Sequence, residues 1–452
     1  MTYIGMGFDL EQSRLGDLQA QHWLPGGVTG LGRRSSPHPI RFRRGSGKHL
    51  TDVDGNVFLD LHGGFGTAVL GYAHPEVDAA AIRAITEVGN FCGLPNPYES
   101  KLAERLVSLI PGVDMVALHG GGGSDACIQA IRVARAATGR SRIVKVEGGY
   151  HGWHSDVGVS TQHQPPQVGK AVTTGRPLGI PNSTGSLPAV VAEVDVVAVN
   201  DVEALNSVFS EKGAKIAAII IEPILYSGGC IFVDKAYIEL ARSLCDKHGA
   251  VLIFDEVMTG FRNGLGGAGA NSGVIPDLAA FGKAVANGYM MSFLGGRAEL
   301  IRLLAPTGPV LYSGTFNGHP ISSIAALKTL EVLETGVPEK LCMLTDRLVT
   351  GVNQAINRLG VRAICQGTGG VWSLYFGVSE VNSYRDVFGA DTRKVDELSE
   401  RYRLHLLERG IYMHRRHVNR AFLSSAHEIS DIDLVVEAVE SFLSTVREEL
   451  SI

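Results

Sequence analysis

Two charged residues near the middle of the chain have types and a spacing that could do chemistry. Asp255 follows the apolar run 251–254, and such a short continuous run predicts a strand buried on both faces of a parallel sheet. Asp255 would lie at the carboxyl end of that strand, where open α/β sheets bind their ligands. Lys283 follows a second apolar segment. Pyridoxal phosphate needs a carboxylate for its ring nitrogen and a lysine for its aldehyde, so this pair suits that cofactor.

Ordinary structural roles are equally open to the pair when it is taken alone. A strand-end aspartate is often a helix cap or a salt-bridge partner, and a lysine in a glycine-rich loop is often solvated. The cofactor hypothesis therefore requires a phosphate site and a ring-stacking side chain elsewhere in the chain.

A glycine loop offers a phosphate site. The segment GGGGSD (120–125) follows a predicted strand and opens a predicted helix closed by Gly139. Glycines let the backbone approach an anion, and a helix N-terminus presents N–H groups to it. The spacing G-x-G-x-x-A that begins at Gly121 also fits a dinucleotide fingerprint, with Glu147 near the place of a ribose-binding acid. A loop that serves only helix–strand packing is the third interpretation.

The segment EGGYHGWH (147–154) follows the next predicted strand. Tyr150, at the carboxyl end of a strand, could lie flat on a planar cofactor. His151, His154 and Asp156 could in principle bind zinc, but their spacing is loose and lacks the HExxH pattern. We therefore expect no resident metal.

Length and composition limit the class of protein. A chain of 452 residues is too long for one simple core, so we expect two domains or one large domain with appendages. The formal charge of -5 argues against nucleic acid as a partner, and the longest apolar runs are too short to span a membrane. No secretory signal is visible, and the six cysteines lack CxxC spacing. These features predict a soluble, cytoplasmic protein with buried, reduced thiols.

The pattern of elements divides the chain into three parts. Strand and helix patterns alternate over residues 62–319, which predicts a mostly parallel sheet covered by helices on both faces. Residues 320–452 predict a smaller α+β domain, which residues 1–61 are expected to join. In that first part, the turn at 52–56 predicts a β-hairpin. The Pro/Gly-rich segment 162–188 predicts a mobile active-site loop or disorder.

Once assembled, these motifs resemble those of the class III aminotransferases of fold type I. The resemblance points to the branch of glutamate-1-semialdehyde aminomutase and D-phenylglycine aminotransferase and covers nearly the whole chain. Its motifs are GGSD, EGGYHGWH, IIIEPI, LIFDEVMTGFR, FGKAVANG and SGTFNGHP. It implies a large α/β domain with a mostly parallel, seven-stranded type of sheet, pyridoxal 5'-phosphate as cofactor, and a homodimer with shared active sites. The implied reaction moves an amino group between a carboxylate-bearing amino acid and a keto or aldehyde acceptor.

The resemblance also implies a role for each site residue. Lys283 is the Schiff-base lysine, Asp255 is the partner of the ring nitrogen, and Tyr150 joins them as a catalytic residue that stacks on the ring. The other expected cofactor contacts are Gly122, Gly123 and Ser124 at the phosphate, His151, Glu222 and Val257 near the ring, and Thr315 at the phosphate of the other subunit. Arg33 matches the arginine that holds a substrate carboxylate, and Trp153 is expected to contact the substrate.

Some motifs depart from the usual pattern of the family. The family usually has Ser-Gly-Thr-Glu where this chain has GGSD (122–125), and NGYMMSFLGG (287–296) changes the pocket wall after the lysine. YHGWH resembles the D-phenylglycine branch, whereas the aminomutase usually has YHGH, so a transaminase is favoured over a 2,1-aminomutase. A nicotinamide-dependent oxidoreductase and a non-catalytic paralogue that binds pyridoxal phosphate are the less favoured alternatives.

Overall fold

The structure is a computed structural model that describes residues 7–161, 177–388, 391–414 and 418–451. Most of the predicted mobile segment 162–188 therefore lies outside the described residues. The strands are β1 (Phe42–Ser46), β2 (His49–Asp52), β3 (Val57–Asp60), β4 (Met115–His119), β5 (Arg142–Val146), β6 (Val194–Val197), β7 (Ile216–Ile221), β8 (Ile224–Leu225), β9 (Ile231–Phe232), β10 (Val251–Glu256), β11 (Leu278–Phe281), β12 (Ser292–Gly296), β13 (Ala363–Thr368), β14 (Val371–Phe376), β15 (Ile411–Tyr412) and β16 (Asn419–Phe422). The helices are α1 (Glu11–Ala20), α2 (Gly63–Gly66), α3 (Pro75–Arg83), α4 (Pro97–Leu109), α5 (Gly123–Thr138), α6 (Pro188–Val191), α7 (Val202–Lys212), α8 (Lys235–His248), α9 (Ala298–Ile301), α10 (Pro320–Leu333), α11 (Val337–Leu359), α12 (Thr392–Glu408) and α13 (Ile429–Thr445).

A seven-stranded sheet with the order β4-β12-β11-β10-β7-β5-β6 lies at the centre of the molecule. Strand β12 runs antiparallel to both of its neighbours, and the other pairs are parallel. Every residue of β7, β10 and β11 is buried, as expected for strands covered by helices on both faces. The predicted large, mostly parallel α/β sheet is confirmed.

Helices on the two faces hold this sheet in place. Helix α5 packs on β7, β11 and β12, and α8 packs on β7 and β10. Both helices end at a glycine in the left-handed conformation, Gly139 (φ 66°) and Gly249 (φ 64°). Glycine adopts positive φ without the steric cost of a side chain, so it ends each helix and turns the chain back into a strand.

The remaining strands form three smaller sheets, of which the pair β8 and β9 is the smallest. Strands β13, β14 and β16 make an antiparallel sheet, and α11 packs on β13 and on α13. The predicted hairpin is formed by β2 and β3, and β15 pairs in parallel with β3. That pairing joins the first part of the chain to the last, in keeping with the expected grouping. The domain boundaries at 61/62 and 319/320 remain predictions. Helix α10, which begins at the second of these boundaries, packs on α3 and α4.

Helix α13 begins at Ile429, because Glu428 and Asp431 form a capping box ahead of its apolar pattern. One local expectation needs correction. The thiols were expected to be buried, but Cys92 is exposed and Cys342 is partly exposed. All six cysteines lie in the described residues and none forms a disulfide. None of the described helices is both long and apolar enough to cross a lipid bilayer.

Candidate active site

The carboxyl ends of two neighbouring central strands bring Asp255 and Lys283 to the same edge of the sheet. Asp255 is opposite Ala280 in the parallel pairing of β10 with β11, and Lys283 follows β11 after one glycine. Lys283 has a left-handed backbone (φ 46°), a conformation that costs energy for a residue with a side chain and is common at functional sites. The turn after it is fixed by Asn287, whose side chain accepts the Leu70 N–H (2.9 Å) and donates to the Gly71 carbonyl (3.0 Å).

Asp255 is buried and fully hydrogen-bonded. Its Oδ2 lies 2.7 Å from His151 Nδ1 and accepts a weaker contact from the Cys127 thiol at 3.5 Å. Its Oδ1 accepts the Val257 N–H at 3.0 Å. The predicted contact of His151 with the cofactor stays a prediction, and in this structure His151 holds Asp255. These contacts give both oxygens of the buried carboxyl group hydrogen-bond partners, without which its burial would be costly.

Lys283 lies in a site that disfavours its charged form. Burial lowers the pKa of Lys283 to about 8, while the charges of Asp255 and Glu222 raise it and that of Arg420 lowers it further. A lysine with this pKa is partly a neutral amine near neutral pH. The neutral amine can form a covalent bond with an aldehyde or accept a proton.

Glu222 supports the segment that carries Tyr150. The buried carboxylate accepts the Tyr150 N–H at 3.1 Å and the Ser227 N–H at 3.0 Å. Burial and the charge of Asp255 raise the pKa of Glu222. Tyr150 is 41% exposed and Trp153 is 82% exposed. A bound molecule could therefore cover part of either ring and exclude water from it.

The glycine loop approaches the end of β10 closely. A side chain at Gly123 would place its Cβ 2.4 Å from Val257 Cγ1, whereas no atom lies within 4 Å of the same point at Gly122. Helix α5 begins at Gly123, and the Asp125 N–H of its first turn donates to the Gly122 carbonyl at 3.0 Å. The N–H groups of Gly123 and Ser124 precede that bond and have no carbonyl of a preceding helical turn to bond. Ser292 Oγ donates to the Gly122 carbonyl at 3.0 Å and fixes the loop. A helix N-terminus, a lysine and a buried carboxylate therefore lie close together. They fit the phosphate, the aldehyde and the ring nitrogen of pyridoxal phosphate, respectively.

Thr315 lies in an exposed segment beside the glycine loop. The Gly120 N–H donates to Asn317 Oδ1 at 3.1 Å, and a Cβ at Gly120 would lie 2.2 Å from the Phe316 carbonyl oxygen. Phe316 and Leu311 are large apolar side chains in the same segment, and both are exposed. The structure thus places Thr315 near the phosphate loop, on a surface with apolar character.

Arg33 lies in a pocket of about 400 Å³ near the N-terminal hairpin. Its Nη1 donates to Thr29 Oγ1 (2.8 Å) and to the Thr29 carbonyl (3.1 Å). Neither Lys283 nor Asp255 lines that pocket. Its predicted contact with a substrate carboxylate therefore remains a proposal.

Sequence reasoning missed Arg420. This buried arginine on β16 donates from Nη1 to the Tyr226 carbonyl at 2.5 Å, and its guanidinium lies 5.4 Å from the centre of the Phe422 ring. Its Nε is buried without a hydrogen-bond partner among the described residues. The available signal was an arginine directly before the apolar residues Ala421 to Leu423, since a buried charge needs an anion or a polar partner.

The residues considered for a zinc site and for a dinucleotide site have other contacts in the described part of the chain. Within the described residues no three His, Cys, Asp or Glu side chains converge as metal ligands, since His151 bonds Asp255 and Asp156 pairs with Arg135. Glu147, the candidate ribose-binding acid, is buried and lies 3.3 Å from Arg385 Nε.

Comparisons with known proteins agree with this geometry. The family profile named Aminotransferase class-III matches residues 31–419. A glutamate-1-semialdehyde 2,1-aminomutase of Methanopyrus kandleri is 38% identical over 427 residues, which are 94% of this chain and 95% of the relative. A crystal structure of an omega-transaminase from Sphaerobacter thermophilus superposes with a TM-score of 0.89 at 29% identity and covers 98% of this chain and 99% of its own. The crystal structure of a β-phenylalanine aminotransferase from Variovorax paradoxus superposes with a TM-score of 0.85 at 27% identity, and the match covers 98% of this chain and 95% of that one.

The fold and the site thus define an enzyme that depends on pyridoxal phosphate. The chain belongs to the class III aminotransferases. This family membership argues against the alternative of a nicotinamide-dependent oxidoreductase. Pyridoxal 5'-phosphate is its cofactor. The roles of individual residues remain proposals.

The pKa of Lys283 predicts how the cofactor-free protein takes up pyridoxal phosphate. Only the neutral amine can bond the aldehyde, so the uptake rate should rise about tenfold per pH unit below a midpoint near pH 8 and level off above it. Asp255→Asn should move the midpoint down and Arg420→Met should move it up, because their charges act on Lys283 in opposite directions. Stopped-flow absorbance at a series of pH values measures the midpoints. Shifts of the same sign in both variants would contradict this electrostatic description.

Proposed function

We propose that this enzyme transfers an amino group between a carboxylate-bearing amino acid and a keto or aldehyde acceptor, with Lys283 as the residue that carries the cofactor and moves the proton. The observation that supports this most strongly is the pairing of a partly neutral lysine with a buried, hydrogen-bonded aspartate at neighbouring strand ends.

The proposed roles follow from what each side chain contacts. When bound, pyridoxal phosphate supplies an electron-withdrawing ring and an aldehyde that can exchange an amino group. Asp255, fixed by His151, would hold a proton on the ring nitrogen. Tyr150 would cover the ring face and exclude water, with Glu222 fixing its backbone. Gly122, Gly123 and Ser124 would bind the phosphate at the start of α5.

Lys283 should be the one lysine that becomes linked to the cofactor. Borohydride reduction of the purified holoenzyme followed by peptide mapping should place the label on Lys283. Lys283→Ala should lose the label and nearly all turnover, because the amine is both the attachment point and the base. Lys328→Ala, which removes a lysine on the exposed surface of α10 paired with Glu331, is the matched control and should keep both. A label on another lysine would refute the assignment.

Transamination is favoured over an internal 2,1-amino shift by the YHGWH motif and by the two transaminases of similar structure. The aminomutase alternative has its own support in the relative from Methanopyrus kandleri, which is 38% identical.

A keto acceptor should therefore be required for continued turnover. With an amino donor alone the holoenzyme should release at most about one equivalent of keto product, and pyruvate or 2-oxoglutarate should restore catalytic turnover. This follows because a transaminase must return the amino group to a second molecule before it can act again. Product counts by mass spectrometry would settle the point. Multiple turnovers that yield an isomer of the donor without an acceptor would favour the aminomutase.

Two arginines are candidates for the contact with the substrate carboxylate. Arg33 matches the family position, and Arg420 is the buried cation whose charge acts on Lys283. Arg33→Ala should raise KM for carboxylate substrates, with a loss in kcat/KM of about 2–5 kcal/mol if the pair is desolvated, and should spare the matching simple amine. Arg33→Lys should recover part of the loss, because a point charge cannot make the bidentate contact. If Arg420→Met shows this selective loss and Arg33→Ala does not, the carboxylate contact belongs to Arg420.

We further propose that the enzyme is a homodimer with shared active sites in the cytoplasm. The exposed apolar side chains beside Thr315 support the dimer, and six cysteines without a disulfide support a reducing compartment.

Complementation between inactive subunits tests the shared sites. Thr315→Val, which keeps the shape of the side chain but lacks the hydroxyl, should weaken cofactor binding without loss of the dimer. Mixed with Lys283→Ala, it should form hybrids in which one site combines a native Lys283 with a native Thr315 from the partner. Such hybrids should recover cofactor affinity at about half of the sites, measured by cofactor titration. No recovery in verified hybrids would place Thr315 at the site of its own subunit.

A further inference from the structure

The pocket that contains Arg33 has a composition that the amino-transfer chemistry does not explain. Aromatic or imidazole rings make up much of its wall. They come from Phe42, His62, Phe65, Tyr72, Tyr412 and His414. The other described residues of the wall are apolar or glycine, apart from Arg33, Arg41 and Thr29. None of the described lining residues is an aspartate or a glutamate. A pocket of about 400 Å³ is in the size range of small-molecule sites.

The rings of this pocket meet edge to face. The Phe42 and Tyr412 ring centres are 4.7 Å apart with planes at 72°, and those of His62 and Phe65 are 4.3 Å apart at 68°. His414 lies 5.5 Å from His62. Edge-to-face walls suit a further aromatic ring, because ring edges and ring faces carry opposite partial charges.

Phe65 is held at the pocket by an unusual backbone. Gly63, Gly64, Phe65 and Gly66 all have positive φ, and Phe65 itself has φ 59°. A left-handed turn of this length is unfavourable for residues with side chains, and glycines on both sides reduce that cost. The chain therefore accepts strain at one residue, and that residue places a large ring in the pocket wall.

The segment that carries Phe65 also contacts the lysine site. The Gly66 carbonyl accepts a hydrogen bond from Arg262 Nη2 at 2.8 Å, and Arg262 lies in the segment that follows Asp255 in the chain. The Leu70 N–H donates to Asn287, in the turn after Lys283. One segment thus joins the pocket wall to the elements that position both Asp255 and Lys283.

Arg33 and Arg41, the two arginines among the described residues that line the pocket, differ in what they contact. Arg41 lies 3.5 Å from the buried Asp17 and donates to the Gly27 carbonyl. Arg33 bonds only the side chain and the carbonyl of Thr29 in the hydrogen bonds seen among the described residues. Thr29 is neutral, so the charge of Arg33 is available to an anion.

We infer that this pocket receives an aryl carboxylate, which makes an aromatic amino acid or keto acid the substrate class of the enzyme. This inference rests on the proposed amino-transfer function, because it assigns the acid that takes part in it. The ring would lie against Phe65 and Tyr412, and the carboxylate would meet Arg33.

Calorimetric titration of the holoenzyme with three unreactive probes tests the inference. Phenylacetate carries both features, cyclohexylacetate replaces the aromatic ring by a saturated one, and phenylacetamide replaces the charge. Phenylacetate should bind about three- to tenfold more tightly than cyclohexylacetate and about tenfold or more tightly than phenylacetamide. Equal affinity for phenylacetate and cyclohexylacetate in the wild-type protein would overturn the inference.

Two variants assign the preference to residues. Phe65→Leu keeps an unbranched Cβ on the left-handed backbone and should lower the ring preference to less than about twofold while keeping the acid preference. Phe232→Leu, the same change at an exposed phenylalanine outside the pocket, should change neither. Arg33→Ala should abolish the acid preference only. An unchanged ring preference in a folded Phe65→Leu would exclude this wall as the binding surface.

The failure of this inference and that of the proposed function can be told apart. If phenylacetate binds as expected but no amino acid serves as a donor, the pocket assignment holds and amino transfer is wrong. If only non-aromatic donors react and phenylacetate does not inhibit them, amino transfer holds and the substrate class is wrong.

Discussion

Opposite charges placed at the ends of neighbouring buried strands are the constraint on which this structure depends. Asp255 and Lys283 leave β10 and β11 at the same edge of the sheet, in surroundings that penalise any charge. His151, Cys127 and the Val257 N–H stabilise the carboxylate. Burial nevertheless lowers the pKa of the Lys283 ammonium to about 8, although the charges of Asp255 and Glu222 raise it. The site therefore combines a hydrogen-bonded acid with a partly neutral amine, which is the combination that amino-group chemistry on pyridoxal phosphate needs.

The rest of the large sheet serves this arrangement. Fully buried β7, β10 and β11 make the strand ends rigid, and α5 brings its N-terminus to the same edge through a glycine that fits only because it has no side chain. The buried ammonium of Lys145 donates to the carbonyls of Gly149 (3.0 Å) and Val159 (2.6 Å). It thereby fixes the segment that carries Tyr150 and His151. Rigid strands and hydrogen-bonded loops together limit the movement of groups that must stay within bonding distance of a small cofactor.

The sequence was sufficient to predict the features of the fold and the site that follow from local patterns of residues. Continuous apolar runs identified the buried strands, and Asp255 and Lys283 were found because charges at the ends of such runs are rare. The strand order, the antiparallel β12 and the pairing of β15 with β3 depend on contacts between distant segments, so no local pattern contained them. His151 illustrates the same limit at the site, since its contact with Asp255 joins residues 104 positions apart in the sequence. Arg420 was missed because its contact with Tyr226 spans 194 positions of the sequence and forms only in the folded chain.

Exchange of the donor's α-hydrogen with solvent tests the central claim most directly, because it reports proton movement without requiring an acceptor. Holoenzyme in deuterium oxide would be incubated with alanine, glutamate and phenylalanine, each as both enantiomers, and followed by proton NMR. The account predicts exchange for at least one of them. It predicts a rate lower by orders of magnitude in Lys283→Ala, which lacks the base, and in Asp255→Asn, which lacks the charge that keeps the ring nitrogen protonated. Undiminished exchange in Asp255→Asn or in Lys283→Ala would contradict it.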